Sequence, residues 1–467
     1  MPDERKPVHK HHLIGLDIGT TSVGGVLIDG NSGEVLESAA REHQADLDTG
    51  QDWERVQDPE TLLAAIEAVL GRLTDSHPEV RGLGITGQMH SILYVDQDGR
   101  AVSPLFTWQD QRGDLARRDG KTYVQALAEA TGHSLATGFG LVTHHYNLQN
   151  GLVPATAASL CTISDYVASR LTGGASVPAL DATQAAGLGL FDLHESRFDP
   201  QALRTAGIDQ GFLPPVAPSG TLVGHTEQGM AVFLAPGDNQ AGFLGAAQDA
   251  QAAVLINVGT SGQVSVFARD ELHIKGLEVR PFPGDGFLLV GSALCGGKAY
   301  AVLEKCFRHA CRLFAGYDGP PLYATMGQLA AEAMAGRIRG ERLTVDTRLL
   351  GTRSEPQIRG SISRVSLDNF TPEHLILGFL EGIAEELGQL YERLPETVRS
   401  RHTYLVGCGN GLRLNQPLCK VIEDRFGLPL RIPQHREEAA FGAALCAGVG
   451  LGLYPDFIAA GRMTRYV

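Results

Sequence analysis

Two rhythms of apolar and polar residues run along the chain. Leu13 to Asp29 (LIGLDIGTTSVGGVLID) and Ala253 to Arg269 (AVLINVGTSGQVSVFAR) share one grammar: an apolar run, then Asp/Asn-x-Gly-Thr-Thr/Ser, then a second run rich in β-branched residues. Short apolar runs about a Gly-Thr turn predict a β-hairpin. Its recurrence roughly 240 residues later predicts two similarly folded halves. The second rhythm is helical. Asp58-Pro59-Glu60 sets an N-cap and an N1 proline ahead of Leu62, Ile66, Val69, Leu70 and Leu73. Thr371-Pro372-Glu373 repeats the device before Ile376, Phe379, Leu380, Ile383, Leu387, Leu390 and Leu394, and a further helix bearing Leu414, Leu418, Ile422 and Phe426 follows Gly407-Cys408-Gly409-Asn410-Gly411. Ser91 to Val95, Asp98-Gly99 and Ala101-Val102 read as another hairpin. Alternating strands and helices predict an α/β protein. Pro214 to Pro218 and Ala235-Pro236-Gly237 punctuate the middle, so the halves are expected at 1–245 and 246–467.

Composition changes this picture at glycine, which supplies 57 of 467 residues, about one in eight where about one in fourteen is usual. With no collagen period or low-complexity tract, these glycines must serve turns, close packing or backbone approach to a ligand. A formal charge of −14 disfavours nucleic acid and anionic membranes. A phosphate-bearing ligand would need local donors or a metal ion. Seven cysteines without a C-x-x-C pair indicate neither a disulfide framework nor a zinc site, and fit a reducing cytoplasm. Ala439 to Leu453 is too short and glycine-rich to cross a bilayer, and the charged N-terminus has no signal-peptide apolar region. His9, His11 and His12 read as a loose tail.

The candidate chemistry sits in turns. Asp17-Ile18-Gly19-Thr20-Thr21-Ser22 suits a nucleoside triphosphate: Gly19 admits phosphate oxygens, Thr20 and Thr21 add donors, and Asp17 can hold hydrated Mg²⁺. A polar hairpin tip would use the same residues. The partner turn, Asn257-Val258-Gly259-Thr260-Ser261-Gly262, makes a pair of phosphate clamps. Asp238, after Pro236-Gly237, is either a helix cap or a general base at a helix N-terminus. Gln88-Met89-His90 and Trp108-Gln109-Asp110-Gln111-Arg112 offer the planar faces and fixed donors that a carbohydrate needs. A core tryptophan beside a surface ion pair is the alternative. His144 and His145 receive no catalytic role. The glycine-rich turn at Gly407 to Gly411 offers a flat bed for adenine, although it has neither dinucleotide nor P-loop spacing.

In this order, DIGTTS, GQMH, WQDQR, GDN with NVGTSGQV, VGCGNGLRLNQP and EEAAFGAAL resemble the FGGY carbohydrate kinases over nearly the whole chain. TWQDQR (Thr107 to Arg112) and LATGFGLVT (Leu135 to Thr143) are most like the sedoheptulokinase branch, while xylulokinases share much of the frame. The resemblance implies an α/β fold of two actin-like (ribonuclease H-like) domains with an interdomain cleft, sugar held largely by the first and ATP by the second. It also implies Mg²⁺-dependent transfer of the γ-phosphoryl group from ATP to a terminal hydroxyl of a ketose, with sedoheptulose ahead of xylulose and other pentuloses or polyols. By motif match Asp238 is the catalytic base and Asp17 and Asp238 lie at the metal. Gly19, Thr20, Thr21, Gly259, Thr260, Ser261, Gly409, Asn410 and Asn415 meet ATP, and Gln88, Met89, His90, Trp108, Asp110, Arg112 and Asp238 meet the sugar. Many relatives carry Lys or Arg where this chain has Gly24, which shifts phosphate charge onto Mg²⁺, backbone N–H groups and a cation such as Lys298. Paired hairpins also occur in actin and heat-shock chaperones, so a nucleotide-gated binding protein, or a sugar sensor without catalysis, is the rival of another class. Small-molecule sugar and ATP are the expected partners, with no nucleic acid or membrane and with room for a homodimer.

Overall fold

The computed structural model describes residues 11–467 apart from 76, 78, 175–178, 338, 339 and 354. His9 lies outside the described residues. His12 is buried at the start of the first strand, edge-on to His77 at 5.3 Å, so the fold already includes it. The chain forms two compact units. The first holds the described residues up to Gln248 together with Arg280–Gly286 and His435–Arg465; the second holds Asp249–Val279, Phe287–Gln434 and the last two residues. The main segment of the first unit ends at Gln248, and two later segments belong to it as well.

In the first unit a six-stranded sheet runs in the order Leu222–His225, Ala231–Leu234, Val80–Gly87, His12–Ile18, Ser22–Asp29, Val35–Glu42. The strand His12–Ile18 pairs antiparallel with Ser22–Asp29, through the Gly-Thr turn, and parallel with Val80–Gly87. Leu13, Ile14, Leu16 and Ile18 are all fully buried, as expected of a strand covered on both faces. One covering layer is the helix Pro59–Asp75. It is capped by Asp58, whose Oδ2 accepts the Thr61 N–H at 2.9 Å, and it buries Leu62, Ile66, Val69 and Leu73.

On the sheet lies the helix Glu438–Gly450. Glycine makes its approach feasible: a Cβ on Gly15 would stand 1.8 Å from Ala440 O, and one on Gly84 would stand 1.9 Å from Ala443 O. The same helix meets the helix Asp238–Ala246 with comparable intimacy, since a Cβ on Gly442 would stand 1.9 Å from Ala241 O. Direct backbone contact thus fixes two helix N-termini against the end of the central strand.

The sheet of the second unit repeats the pattern, with Phe287–Ala293, Gly262–Ala268, Ala253–Val258, Tyr404–Cys408 and Leu430–Arg431 in order. Ala253–Val258 is antiparallel to Gly262–Ala268 and parallel to Tyr404–Cys408. The helix Pro372–Glu392 forms where the apolar stripe predicts it, although the Thr371 hydroxyl donates to Glu373 Oε2 at 2.7 Å rather than capping the backbone. The helix expected beyond Gly411 is interrupted. Asn410–Arg413 ends, Asn415 caps a new helix, Gln416–Phe426, and Leu414 is left exposed at the joint.

Candidate active site

Asp17 is the next-to-last residue of the central strand, opposite Gly24 on one side and Thr86 on the other. Its Oδ1 is buried and has no hydrogen-bond partner. Burial, with Asp238, Glu437 and Glu438 adding negative charge, pushes its pKa up to about 7. A buried, unpartnered carboxylate oxygen suits a hard divalent cation, whose charge would favour the ionised form. Among the described residues no group of three or more His, Cys, Asp or Glu side chains makes a metal cage. Such a cation would have to complete its shell with water and phosphate.

The turn after Asp17 is tied back by its carbonyls. Thr20 O accepts Gln57 Nε2 at 2.7 Å, Thr21 O accepts the His43 N–H at 3.3 Å, and Gly19 N donates across the turn to Ser22 O at 3.0 Å. Trp108 Nε1 donates to Thr20 Oγ1 at 3.0 Å. Fully buried Gln57 is the hub: it also donates to Asp46 Oδ1 at 2.8 Å and accepts Gln88 Nε2 at 2.9 Å. Gln57 carries no local signal in the sequence, because its role depends on a turn thirty-odd residues away in the chain.

Asp238 is the first residue of the helix Asp238–Ala246. Gly237 occupies the N-cap position and no side chain caps this helix, so Asp238 does not serve as its cap. Burial pushes the Asp238 pKa up to about 6, against the opposing pull of the Arg280 guanidinium and the Asn239 N–H. The preceding loop is clamped from two directions. Thr86 Oγ1 donates to Pro236 O at 2.5 Å, and Gly237 N donates to Thr183 Oγ1 at 2.9 Å. Thr183 in turn donates to Asp181 Oδ1 at 2.6 Å, while Ser219 donates to Asp181 Oδ2 at 2.6 Å. The Asp-x-Thr pair at 181–183 could have been recognised as a helix start, since Asp181 caps Ala182–Leu188. Its bond to the Asp238 loop could not.

The expected sugar segments divide. Met89 is buried against the Asp238 loop: a Cβ on Gly237 would stand 2.6 Å from its Sδ. His90 takes a left-handed backbone (φ 71°), stacks on Phe139 at 4.6 Å, and bonds Gly187 O through Nδ1 at 2.5 Å. Trp108 is 46% exposed, whereas Asp110 and Arg112 are buried as a bidentate pair (2.7 and 3.0 Å). The alternative of a core tryptophan with a surface ion pair is therefore inverted. Arg112 also donates to Asn147 Oδ1 at 2.6 Å and lies over the Phe106 ring at 4.3 Å, and Asp110 Oδ2 accepts the Arg55 N–H at 3.1 Å. Those bonds use both groups to lock loops together. His144, bonded to the Tyr94 hydroxyl, and His145, bonded to Ala206 O, are interior.

In the second unit, the Gly259-Thr260-Ser261 turn is held by the N-terminus of the helix Gly297–Ala315. Gly296 N and Lys298 N both donate to Thr260 O at 3.1 Å, and Gly297 N donates to Gly259 O at 2.8 Å. Lys298, exposed, thus stands in the first turn of that helix with its backbone N–H on the hairpin tip. Gly409 (φ 81°) packs on the same hairpin, where a Cβ would stand 2.6 Å from Val258 O, and Asn410 is exposed beside it. Asn415 spends its carboxamide oxygen on the Leu418 N–H at 3.1 Å. All seven cysteines are free thiols, and among the described residues no helix is long and apolar enough to cross a membrane.

Residues 12–256 match the N-terminal domain of the FGGY family of carbohydrate kinases and residues 254–451 match its C-terminal domain. The chain is 29% identical to the sedoheptulokinase of Mus musculus over 92% of this chain and 96% of that protein. It is 25% identical to the xylulose kinase of Lactococcus lactis, covering 95% of this chain and 88% of the relative. Among solved structures, the xylulose kinase of Rhodospirillum rubrum superposes with a TM-score of 0.83 at 21% identity, over 98% of this chain and 93% of that one. The gluconate kinase of Lactobacillus acidophilus does so with a TM-score of 0.82 at 20% identity and the same coverage. The fold is that of two actin-like domains.

Proposed function

Because the chain belongs to the FGGY family of carbohydrate kinases, ATP-dependent sugar kinases, we propose that it transfers the γ-phosphoryl group of ATP to the terminal hydroxyl of sedoheptulose, giving sedoheptulose 7-phosphate. The observation that carries the chemistry is Asp238, an uncapping carboxylate at a helix N-terminus whose pKa burial raises to about 6. At neutral pH it is ionised and still basic enough to receive a proton. The choice of sedoheptulose rests on the mouse and human sedoheptulokinases, 29% and 28% identical over 92% of this chain.

In this reading Asp238 orients the acceptor hydroxyl and takes its proton as the bond to phosphorus forms. Transfer passes through a loose transition state, so alignment and charge stabilisation matter more than nucleophile strength. The turns at Gly19-Thr20-Thr21 and Gly259-Thr260-Ser261 bind phosphates through backbone N–H groups and hydroxyls, and the Gly409-Asn410 bed receives adenine. Asn415, occupied as a helix cap, acts there by shaping the bed. Asp17 and Asp238 would hold Mg²⁺, which offsets phosphate charge when bound. Met89, His90 and Trp108 border the acceptor; Gln88, Asp110 and Arg112 support the walls from behind.

A coupled ADP-release assay over sedoheptulose, D-xylulose, D-ribulose, L-ribulose and glycerol tests the reading. Sedoheptulose should give the highest kcat/KM. A preference for a five-carbon ketose would overturn the substrate and leave the kinase in place, and ADP release indifferent to every sugar would favour a nucleotide-gated binding protein.

A further inference from the structure

Thr20, in the first Gly-Thr turn, is held from two sides by the two segments assigned to the acceptor. On the buried side its carbonyl accepts Gln57 Nε2 at 2.7 Å, and Gln57 Oε1 accepts Gln88 Nε2 at 2.9 Å, with Gln57 and Gln88 both buried. On the open side its hydroxyl oxygen accepts the Trp108 indole N–H at 3.0 Å. The Trp108 backbone is pinned. Thr107 N and Oγ1 both donate to Arg55 O, at 3.0 and 2.9 Å, Asp110 N donates to Thr107 O at 3.0 Å, and a Cβ on Gly138 would stand 2.0 Å from Trp108 O. The ring itself is 46% exposed, so its bond to Thr20 is open to competition from water.

Resting on the sugar-kinase reading above, we propose that Trp108 is a positioning residue for Thr20 that couples acceptor binding to the phosphate turn. An indole nitrogen only donates, whereas a hydroxyl both donates and accepts. With its oxygen engaged by Trp108, the Thr20 hydroxyl turns its own hydrogen away from the ring, toward an acceptor such as a phosphate oxygen. A polyhydroxylated ligand seated on the indole face immobilises the ring and excludes water from the N–H···O contact, which strengthens it. The Trp108–Thr20 pair is then ordered once, by whichever ligand binds first. Immobilising one exposed side chain accounts for about 2- to 10-fold in affinity. Linkage makes the effect equal in both directions.

Calorimetry on the full-length protein gives the coupling factor, the Kd of a non-hydrolysable ATP analogue alone divided by its Kd at saturation with the acceptor that the wild type ranks first. The wild type should give about 2- to 10-fold. Trp108→Phe keeps a planar apolar face and loses the N–H donor, so its factor should fall to about 1 whatever happens to acceptor affinity. Thr20→Val should do the same, and Thr20→Ser, which keeps the hydroxyl, should retain the factor. The double variant Trp108→Phe/Thr20→Val should lose no more coupling than either single one. The valine and serine variants carry the test if the phenylalanine variant misfolds. A wild-type factor of about 1, or a factor unchanged in Trp108→Phe and Thr20→Val, overturns the inference. So does a Trp108→Phe variant that loses acceptor affinity with its factor intact, since Trp108 would then only touch the sugar. Sugar-stimulated ADP release in the wild type reports on the kinase reading separately. Turnover without coupling removes this inference alone, and absence of both turnover and acceptor binding removes the two together.

Discussion

The carboxylate of Glu437 stands over Gly24: a Cβ built on Gly24 would lie 2.6 Å from Glu437 Oε2. Many relatives are expected to place a basic residue at this position. Here an acidic group from the segment preceding the helix Glu438–Gly450 takes up the space, beside Asp17, whose pKa it helps to raise.

Gly24 and Glu437 should therefore be coupled in stability. Gly24 lies in a strand without a left-handed backbone, so Gly24→Ala alone would gain about 0.4–1 kcal/mol from the unfolded chain. With Glu437 present the steric conflict should cancel or reverse that gain, and in a Glu437→Ala background it should reappear. A double-mutant cycle by urea denaturation should give a coupling of about 0.5–3 kcal/mol. Additive effects would show that Glu437 does not oppose a side chain at position 24.

Asp238→Asn should reduce turnover by about 10² or more while ATP binding, read by calorimetry, persists. Near-normal turnover in a folded Asn variant would remove Asp238 as the base.

The same substitution should stabilise the unliganded protein at pH 8. The folded carboxyl, at about 6, binds its proton more tightly than the unfolded one at 3.8. Its contribution to stability therefore falls as pH rises between about 4 and about 6 and stays at its least favourable above that. Asn escapes that cost, about 1–3 kcal/mol, so the variant's gain in Tm should be full at pH 8 and absent near pH 4. An equal gain at both pH values would trace the effect to packing.

Thr183 should behave as a positioning residue for Asp238. Thr183→Val leaves Gly237 N and Asp181 short of a partner, a loss of about 1–3 kcal/mol, and lets the Asp238 loop shift. kcat should drop about tenfold or more with ATP affinity unchanged, and Thr183→Ser, which keeps the hydroxyl, should restore it. Equal losses for Val and Ser would place the effect in packing instead.

Arg112→Ala should cost about 3–5 kcal/mol, because it strands the buried Asp110 carboxylate. Thermal melts and yield of soluble protein should register it first. A well-folded variant with only a raised sugar KM would return Arg112 to the sugar site.

Local chemistry made much of this legible. Asp17-x-Gly-Thr and Asn257-x-Gly-Thr announce their hairpins because turn preference and β alternation act over a few neighbouring residues, and Asp58-Pro59 announces its helix in the same way. Asp238 was visible as a candidate, but not as a residue that leaves capping to Gly237. Trp108 and Arg112, four positions apart, exchange the exposures expected of them, because which side of a loop faces inward depends on what packs behind it. The contacts of Gln57, Thr183 and Glu437 carried no local signal, although Glu437 itself falls in the EEAAFGAAL run, since each is made with a partner distant in the chain.

Glycine shows the division between the two levels. Its abundance in the sequence establishes that backbone must approach something, and the Gly19, Gly259 and Gly409 turns point to a ligand. Only the tertiary structure shows that Gly15, Gly84 and Gly442 serve a different approach, of backbone to the carbonyls of Ala440, Ala443 and Ala241. The missing Cβ is recorded in the sequence. What fills its place is decided by the packing of segments brought together in folding, and here that packing sets two helix N-termini beside Asp17.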